Sequence, residues 1–188
     1  MKKIFLISAF FFAFFTLPSF ATAGFEVGIG SGYVFYRDSD TKDRNNEIGD
    51  KNQSIIATDA AFLLPMNENL MFAFGGDSVF DLRWNGSNHV YLIDYAFLAG
   101  FRVYPNLGGL FASVDYALGR RTDFFSYEGE KDHESTNWGN GFKFSLGYDF
   151  SYHLSSFAPV LVASIKSMPR GSSRDNLFTV VLRLTKHK

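Results

Sequence analysis

Large apolar side chains alternate with small or polar ones in eight separate stretches of this chain. The first stretch, 24–36, reads GFEVGIGSGYVFY, so Phe25 and Val27 fall on one face while Glu26 and Gly28 fall on the other. A repeat of two residues is that of a β-strand, whose successive side chains point to opposite sides. No helical repeat of 3.6 residues persists after the first 23 residues. The pattern predicts an all-β protein with strands at 24–36, 54–64, 70–84, 90–104, 110–120, 142–150, 157–168 and 176–184.

The connections between these stretches alternate in character. Polar connections follow the first, third, fifth and seventh stretches, at 37–53, 85–89, 121–141 and 169–175. Short turns follow the second, fourth and sixth stretches. Long loops that gather at one end are what an up-and-down barrel produces, because neighbouring strands run in opposite directions. We therefore expect an eight-stranded antiparallel up-and-down β-barrel, in which 24–36 pairs with 54–64 on one side and with 176–184 on the other.

The first 23 residues have the features of a secretory signal peptide. Lys2 and Lys3 form a basic start, 4–17 is apolar, and the sequence A-T-A at 21–23 matches a cleavage site. A membrane-spanning helix needs about 20 apolar residues, so an uncleaved anchor is the less favoured alternative. We expect an exported protein whose barrel domain is 24–188.

Charge and cysteine content exclude several kinds of partner and framework. The chain has 18 basic and 19 acidic residues, and removal of Lys2 and Lys3 leaves a net charge of −3 with no basic patch. Nucleic acid is therefore not an expected partner. Without any cysteine, neither a disulfide framework nor a lipid-bearing N-terminal cysteine is available. The four histidines lack the spacing of metal ligands, so no metal or other cofactor is expected.

Alternation alone does not decide whether the apolar face points into or out of the barrel. Eight strands enclose room for side chains or one small ligand. Rows such as Phe72, Phe74, Phe80 and Trp84, repeated around the ring, would overfill that space. Aromatic residues also lie toward the strand ends, as they do at membrane–water interfaces. We therefore expect a transmembrane barrel with its apolar face outside, and a soluble ligand-binding barrel is the alternative.

In its signal peptide, its eight alternating stretches and its loop asymmetry, the chain resembles the small eight-stranded outer-membrane proteins of Gram-negative bacteria. Examples are the outer-membrane protein A barrel, protein X and protein W families. The resemblance covers everything after residue 23 and rests on architecture rather than on a short motif. It implies a monomer in the cell outer membrane, surrounded by lipid and lipopolysaccharide. The chain departs from these families at its end, where 185–188 follow Leu184 in place of a terminal aromatic residue.

Charged residues occupy the face opposite the apolar one, which the barrel would place in its lumen. They are Glu26, Asp59, Asp77, Asp81, Arg83, Asp94, Arg102, Asp115, Lys143, Asp149, Lys166 and Arg183. An unpaired buried ion costs several kcal/mol, so these charges are expected to pair with one another. A structural plug of ion pairs is the preferred interpretation. The alternative is a narrow channel for small solutes, and the protein W resemblance implies hydrophobic ones.

Three glycines in the first stretch leave part of the lumen wall without side chains. Gly28, Gly30 and Gly32 share the inward face of that strand. Either a small cavity remains there, or long side chains such as those of Arg83 and Arg102 fill the space. We expect that the space is filled.

One triplet, His133-Glu134-Ser135 with Asp132 beside it, contains the residue types of the outer-membrane lipid A deacylases and acyltransferases. Nucleophilic catalysis needs the base and the hydroxyl within hydrogen-bond reach on a rigid scaffold. The triplet lies in the polar connection 121–141, so a solvated loop is the preferred interpretation. The protein is not expected to be an enzyme, and lipid A modification is a less favoured alternative.

The connections 37–53 and 121–141 are expected to lie outside the cell, where they are available to an extracellular ligand. The second contains four aromatic residues among its charges: Phe124, Phe125, Tyr127 and Trp138. They form either a contact surface for a host molecule, a phage or lipopolysaccharide, or an extension of the aromatic girdle. The expected function is an adhesin-like or receptor-like surface interaction, or a structural contribution to membrane integrity.

Overall fold

The computed structural model describes residues 23–48, 52–105, 108–153, 157–170 and 173–186, and 1–22 of the predicted signal peptide lie outside the described residues. The strands are β1 (Gly24–Tyr36), β2 (Asn52–Asn67), β3 (Leu70–Asn85), β4 (Asn88–Val103), β5 (Leu110–Tyr127), β6 (Glu130–Ser135), β7 (Gly139–Asp149), β8 (Ala158–Arg170) and β9 (Ser173–Lys186). One α-helix, α1 (Ser39–Glu47), lies between β1 and β2, and a 3-10 helix (Phe150–His153) follows β7. No helix in the described part of the chain is long and apolar enough to cross a membrane.

Eight of the nine strands form a closed antiparallel barrel. Their order around the ring is β4-β3-β2-β1-β9-β8-β7-β5, and the pairing of β4 with β5 closes it. β1 lies between β2 and β9, so that Val27 is opposite Ala60 on one side and Leu184 on the other. The predicted fold is confirmed, including both neighbours of the first strand.

The prediction that 37–53 is a loop throughout is wrong, because α1 occupies part of it. Asp38 caps the helix: its carboxylate accepts hydrogen bonds from a first-turn N–H at 3.3 Å and from the Thr41 hydroxyl at 2.9 Å. The helix buries Thr41 and Asn45, which lie four residues apart and therefore on the same face. A helix whose buried residues are polar has no apolar repeat, so the sequence pattern gives no sign of it.

The prediction of a loop over 121–141 is also wrong. β5 continues to Tyr127, a two-residue turn at 128–129 reverses the chain, and β6 pairs with the end of β5. The turn residues have φ angles of 50° and 91°, as a tight hairpin turn requires. Beyond residue 119, β5 no longer pairs with β7 and pairs with β6 instead, while its other side stays paired with β4 as far as Ser126.

The outer face of the barrel wall is apolar and the inner face carries charged residues, which is the reverse of the arrangement in a soluble protein. Ile29, Phe97 and Leu146 point outward and expose 64%, 65% and 65% of their surface. Glu26 and Lys166 point inward and expose 0% and 2%. Since soluble proteins bury apolar groups and expose charged ones, this arrangement is that of a barrel with a lipid-facing exterior.

We call the rim the end of the barrel that carries α1, the β3–β4 turn at 86–87 and the β5–β6 hairpin. The opposite end carries the β2–β3 turn at 68–69 and the start of β1. α1 lies across the rim mouth of the lumen. Its Thr41 hydroxyl accepts a hydrogen bond from Arg121 at 2.8 Å, and Ile48 after it packs into an apolar cluster of the upper lumen.

Candidate functional site

The lumen contains charged side chains that pair from strand to strand. Near the opposite end, the Arg102 guanidinium donates to both carboxylate oxygens of Glu26 at 2.7 Å. Arg183 also contacts Glu26, at 3.2 Å, and donates to Asp59 at 2.8 Å. One arginine therefore joins two carboxylates that come from β1 and β2.

The pairing continues through two lysines at the middle of the lumen. The Lys143 ammonium lies 3.9 Å from Asp59 and 3.0 Å from Asp77. The Lys166 ammonium lies 2.5 Å from Asp77 and 2.8 Å from Asp94. Each lysine thus bridges two carboxylates on the far wall.

Two arginines extend the pairing to the rim. Arg170 contacts Asp94 and donates to Asp175 at 2.8 Å. Arg121 lies 2.6 Å from the same Asp175 and 2.7 Å from Asp123. The last pair lies below α1, whose Thr41 accepts from Arg121.

These contacts form one unbranched sequence of alternating signs, which we call the ion-pair chain. Its members in order are Arg102, Glu26, Arg183, Asp59, Lys143, Asp77, Lys166, Asp94, Arg170, Asp175, Arg121 and Asp123. Six cations and six anions balance in charge, and the longest link is 3.9 Å. Because each internal member contacts two opposite charges, the desolvation of these ions is offset within the lumen.

Further inward carboxylates bond beside the ion-pair chain. Asp81 accepts from Arg83 at 2.8 Å and from the Tyr36 hydroxyl at 2.9 Å. Asp149 accepts from the Tyr104 hydroxyl at 3.1 Å. Both tyrosines therefore place their hydroxyl groups in the lumen rather than at the lipid surface.

Asp115 borders a small cavity in the lumen. It accepts a hydrogen bond from Ser113 at 3.3 Å. The adjoining cavity has a volume of about 20 Å³ and is lined by charged groups of Asp59, Arg102, Asp115, Lys143 and Arg183. A space of this size has room for about one water molecule.

The twelve residues predicted for the lumen all belong to inward-facing positions, but the ion-pair chain also contains four that sequence analysis placed in loops. These are Arg121, Asp123, Arg170 and Asp175. A signal for the first two was present in the sequence. Arg121 and Asp123 continue the odd-numbered inward positions of β5, to which Asp115 belongs.

The space beside Gly28 is filled, although not by the expected side chains. A Cβ atom at this position would lie 2.5 Å from an Asp59 carboxylate oxygen and 2.7 Å from Cγ of Arg183. Arg83 and Arg102, the expected residues, pair with carboxylates elsewhere. The glycine therefore allows one ion pair to pack against the wall of β1.

The four aromatic residues considered as loop contacts do not form one surface. Phe124 stacks on His133, with ring centroids 6.3 Å apart, and Trp138 stacks on Phe97 at 6.4 Å on the outer face of the wall. Phe125 and Tyr127 instead line a cleft at the rim.

The catalytic alternative gains no support from the geometry of β6. The Ser135 hydroxyl bonds to the Thr122 hydroxyl at 3.0 Å, and the His133 ring packs on Phe124. Within the described residues, no group of three or more His, Asp or Glu side chains is arranged to hold a metal ion.

The cleft at the rim, which we call the rim cleft, lies between α1 and the β5–β6 hairpin. Its volume is about 440 Å³, and its lining comes from α1, β4, β5 and β6. Arg44 of α1 joins the two sides: its guanidinium lies 4.5 Å from the centre of the Phe125 ring and 2.7 Å from Glu134 of β6. The rim cleft is therefore bounded by elements that contact each other directly.

No family model and no curated protein sequence matches the chain. Solved structures share its fold. Ail, the attachment invasion locus protein of Yersinia pestis, superposes with a TM-score of 0.57 at 13% identity, over 87% of this chain and 97% of that one. Ail in complex with the heparin analogue sucrose octasulfate gives 0.54 at 13% identity, with the same coverage. Neisserial surface protein A gives 0.53 at 10% identity, over 86% of this chain and 95% of that one. At these identities the likeness shows the fold alone, which is that of the small eight-stranded outer-membrane β-barrels.

Proposed function

We propose that this protein is a monomeric, non-enzymatic β-barrel of the Gram-negative outer membrane, with a closed lumen and a surface-interaction role carried by its rim. The observation that carries the proposal is the ion-pair chain, which occupies the lumen from one end to the other. A solute would have to separate several buried ion pairs at once, and breaking even one is costly. Recognition is then left to the rim.

Support for the location comes from the outer surface of the barrel. Its outward side chains are apolar, and a closed ring leaves no strand edge in the wall whose backbone groups would lack partners in lipid. Lipid and lipopolysaccharide then surround the wall, and a signal peptide at 1–23 accounts for export. In this orientation the rim faces the outside of the cell, with 37–53 and 121–141 available to an extracellular ligand.

The positions of the rim aromatics divide their roles. Phe125 and Tyr127 line the rim cleft, so we assign them to ligand contact. Phe124 and Trp138 expose 41% and 50% of their surface on the outer side, so we assign them to the aromatic girdle. The structural contribution to membrane integrity belongs to the wall and lumen, and the surface interaction belongs to the rim.

Conductance in planar lipid bilayers tests the closed lumen. The purified, refolded protein is expected to insert and to show no stable current steps in concentrated potassium chloride, because an ion would have to separate the buried pairs of the ion-pair chain. A general porin added to the same bilayer serves as the positive control for insertion. Stable, reproducible steps from this protein would contradict the proposal and favour the channel alternative.

A further inference from the structure

The rim cleft has an apolar floor. Ile48, Val90 and Phe125 form it, and the first two expose only 5% and 4% of their surface. Val90 is opposite Phe125 in the β4–β5 register, and Phe125 is opposite Asp132 in the β5–β6 register. One row of side chains therefore crosses three strands, from an apolar floor to a carboxylate at the edge.

The edge of the rim cleft on β6 is acidic. Glu130, Asp132 and Glu134 alternate with Lys131 and His133, so the three carboxylates lie on the face of β6 that Phe125 shares. His133 lies on the other face, where it stacks on Phe124.

The rim cleft has two basic side chains in its lining, of which one is already in an ion pair and the other is outnumbered by carboxylates. Arg44 is bonded to Glu134 at 2.7 Å, and its guanidinium covers one face of the Phe125 ring, 4.5 Å from the ring centre. The remaining charged groups in the lining are three acidic residues, Glu47, Glu130 and Asp132, and one basic residue, Lys131. None of these four forms an ion pair with another residue of the described ranges, and β6 is exposed along its whole length. An unmatched negative charge thus lies beside an apolar surface.

The acidity is concentrated at this end of the molecule. The stretch 121–141 contains two basic and five acidic residues, whereas the ion-pair chain in the lumen is neutral. A cationic partner is therefore drawn to the rim, where opposite charges give the association its specificity.

The spacing of the carboxylates indicates the shape of that partner. Glu130 and Asp132 are two residues apart on a strand, which separates their Cα atoms by about 6.6 Å. Same-face side chains of an extended peptide repeat at that distance, so two basic side chains can meet both carboxylates at once. The volume of the rim cleft, about 440 Å³, is within the range of about 300–1,000 Å³ found for ligand pockets.

We propose that the rim cleft binds an extended basic peptide segment, with one apolar side chain on the Ile48–Val90–Phe125 floor and lysine or arginine side chains against Glu130 and Asp132. The inference rests on the proposed function, since it names the ligand class of the rim. A polyanion such as the heparin analogue in the Ail complex would meet carboxylates at this position.

The test is a binding titration with the purified full chain in nonionic detergent. The probe is a short fluorescein-labelled peptide that alternates lysine with glycine around one central phenylalanine, and its fluorescence anisotropy is followed as protein is added. Protein-free micelles give the background. The wild-type protein is expected to bind, more weakly as salt is raised, because salt screens exposed charges.

Charge reversal at the acidic edge should remove this binding. Glu130→Lys/Asp132→Lys is expected to weaken it by at least about tenfold, because like charges then face each other. Glu68→Lys, an acid-to-base change in the turn at the opposite end, is the matched control and should change the affinity by less than about twofold. Faster gel migration of unheated samples shows that each variant is folded.

Four results would overturn the proposal. The first is a wild-type protein that does not bind the probe, and the second is a Glu130→Lys/Asp132→Lys variant that binds the probe as tightly as the wild type does. The third is a probe with alanine in place of phenylalanine that binds as well as the original probe. The fourth is a probe with glutamate in place of lysine, or sucrose octasulfate, that binds the wild-type protein as tightly as the lysine probe does. The assay needs neither cells nor a membrane, so it is independent of location.

Location is tested separately with epitope insertions in the turns at 86–87 and 68–69. Antibody should label intact cells through the first insertion and not through the second. A rim epitope that stays unlabelled while the purified protein still binds the probe would contradict the proposed location and leave the peptide site standing. A rim epitope that is labelled on intact cells, together with purified protein that does not bind the probe, would support the proposed location and contradict the peptide site.

Discussion

Lys166 shows how a single charge is accommodated in this lumen. Its ammonium group lies 2.5 Å from Asp77 and 2.8 Å from Asp94, and the residue exposes 2% of its surface. A lysine at such a position is stable only because two carboxylates replace its lost hydration. Each buried carboxylate of the ion-pair chain likewise depends on the cations beside it, so the stability of any one charge depends on its neighbours.

Replacing this ammonium group with an apolar side chain should destabilise the folded barrel. Lys166→Met is expected to lower the free energy of unfolding by about 3 kcal/mol, the lower end of the range for breaking a buried pair. The expected loss is at the lower end of the range because each carboxylate retains one partner: Asp77 still pairs with Lys143, and Asp94 still pairs with Arg170. Urea unfolding of the protein in phospholipid vesicles, followed by tryptophan fluorescence, measures it.

The matched control is Lys131→Met on β6. Lys131 is exposed and lies outside the ion-pair chain, so its replacement should change the free energy of unfolding by less than about 0.5 kcal/mol. Equal unfolding midpoints for the Lys166 and Lys131 variants would show that the buried pairs do not stabilise the barrel.

The rim is built from two elements that contact each other and the wall. α1 reaches β5 through the Thr41–Arg121 hydrogen bond and reaches β6 through the Arg44–Glu134 pair. The two contacts differ in burial, since Arg121 is buried whereas the Arg44 and Glu134 side chains expose 38% and 62% of their surface. The position of α1 over the lumen therefore depends more on the buried hydrogen bond than on the exposed ion pair.

Removal of the helix cap should loosen α1 without affecting the barrel. Asp38→Ala removes the acceptor for a first-turn N–H and for the Thr41 hydroxyl, which costs about 1 kcal/mol of helix stability. Faster amide hydrogen exchange is expected in Ser39–Glu47, with unchanged exchange in β1 and β2. Asp43→Ala, at an exposed position of the same helix, is the control, and equal exchange in the two variants would contradict the cap's role.

The elements that sequence analysis identified are those whose faces differ in polarity. β1 and β3 carry mostly small or charged groups on the inward face and mostly large apolar groups on the outward face, so a repeat of two residues is visible in the sequence. α1 and β6 have no such contrast, because α1 buries Thr41 and Asn45 and all of β6 is exposed. The individual partners of Lys166 depend on strand register, which alternation does not specify.

As a whole, the molecule is a ring with an apolar outer face around an interior of ion pairs and apolar clusters, and α1 lies over the rim. Every strand of the barrel is paired on both sides, and the lumen groups pair across it. Such a ring has no free strand edge with unpaired backbone groups.

The closed ring should therefore survive sodium dodecyl sulfate until it is heated. An unheated sample is expected to migrate faster on a denaturing gel than a boiled one, because the folded barrel is more compact. Mature protein refolded in detergent is the sample, and protein left in urea is the control for the unfolded position. A band whose migration does not change on boiling, from protein that is soluble without detergent, would contradict the membrane-barrel assignment.

The ion-pair chain joins residues that lie far apart in the sequence. Arg183 on β9 meets Glu26 and Asp59, which precede it by 157 and 124 residues. A sheet that still lacks β9 leaves Glu26 with Arg102 alone and Asp59 with only the longer contact to Lys143, and incompletely paired charges are costly to place in lipid. We therefore expect entry into the hydrocarbon layer to depend on ring closure, with the lumen charges as a checkpoint in assembly. A chain that has lost its last strand should remain at the membrane surface, within reach of proteases.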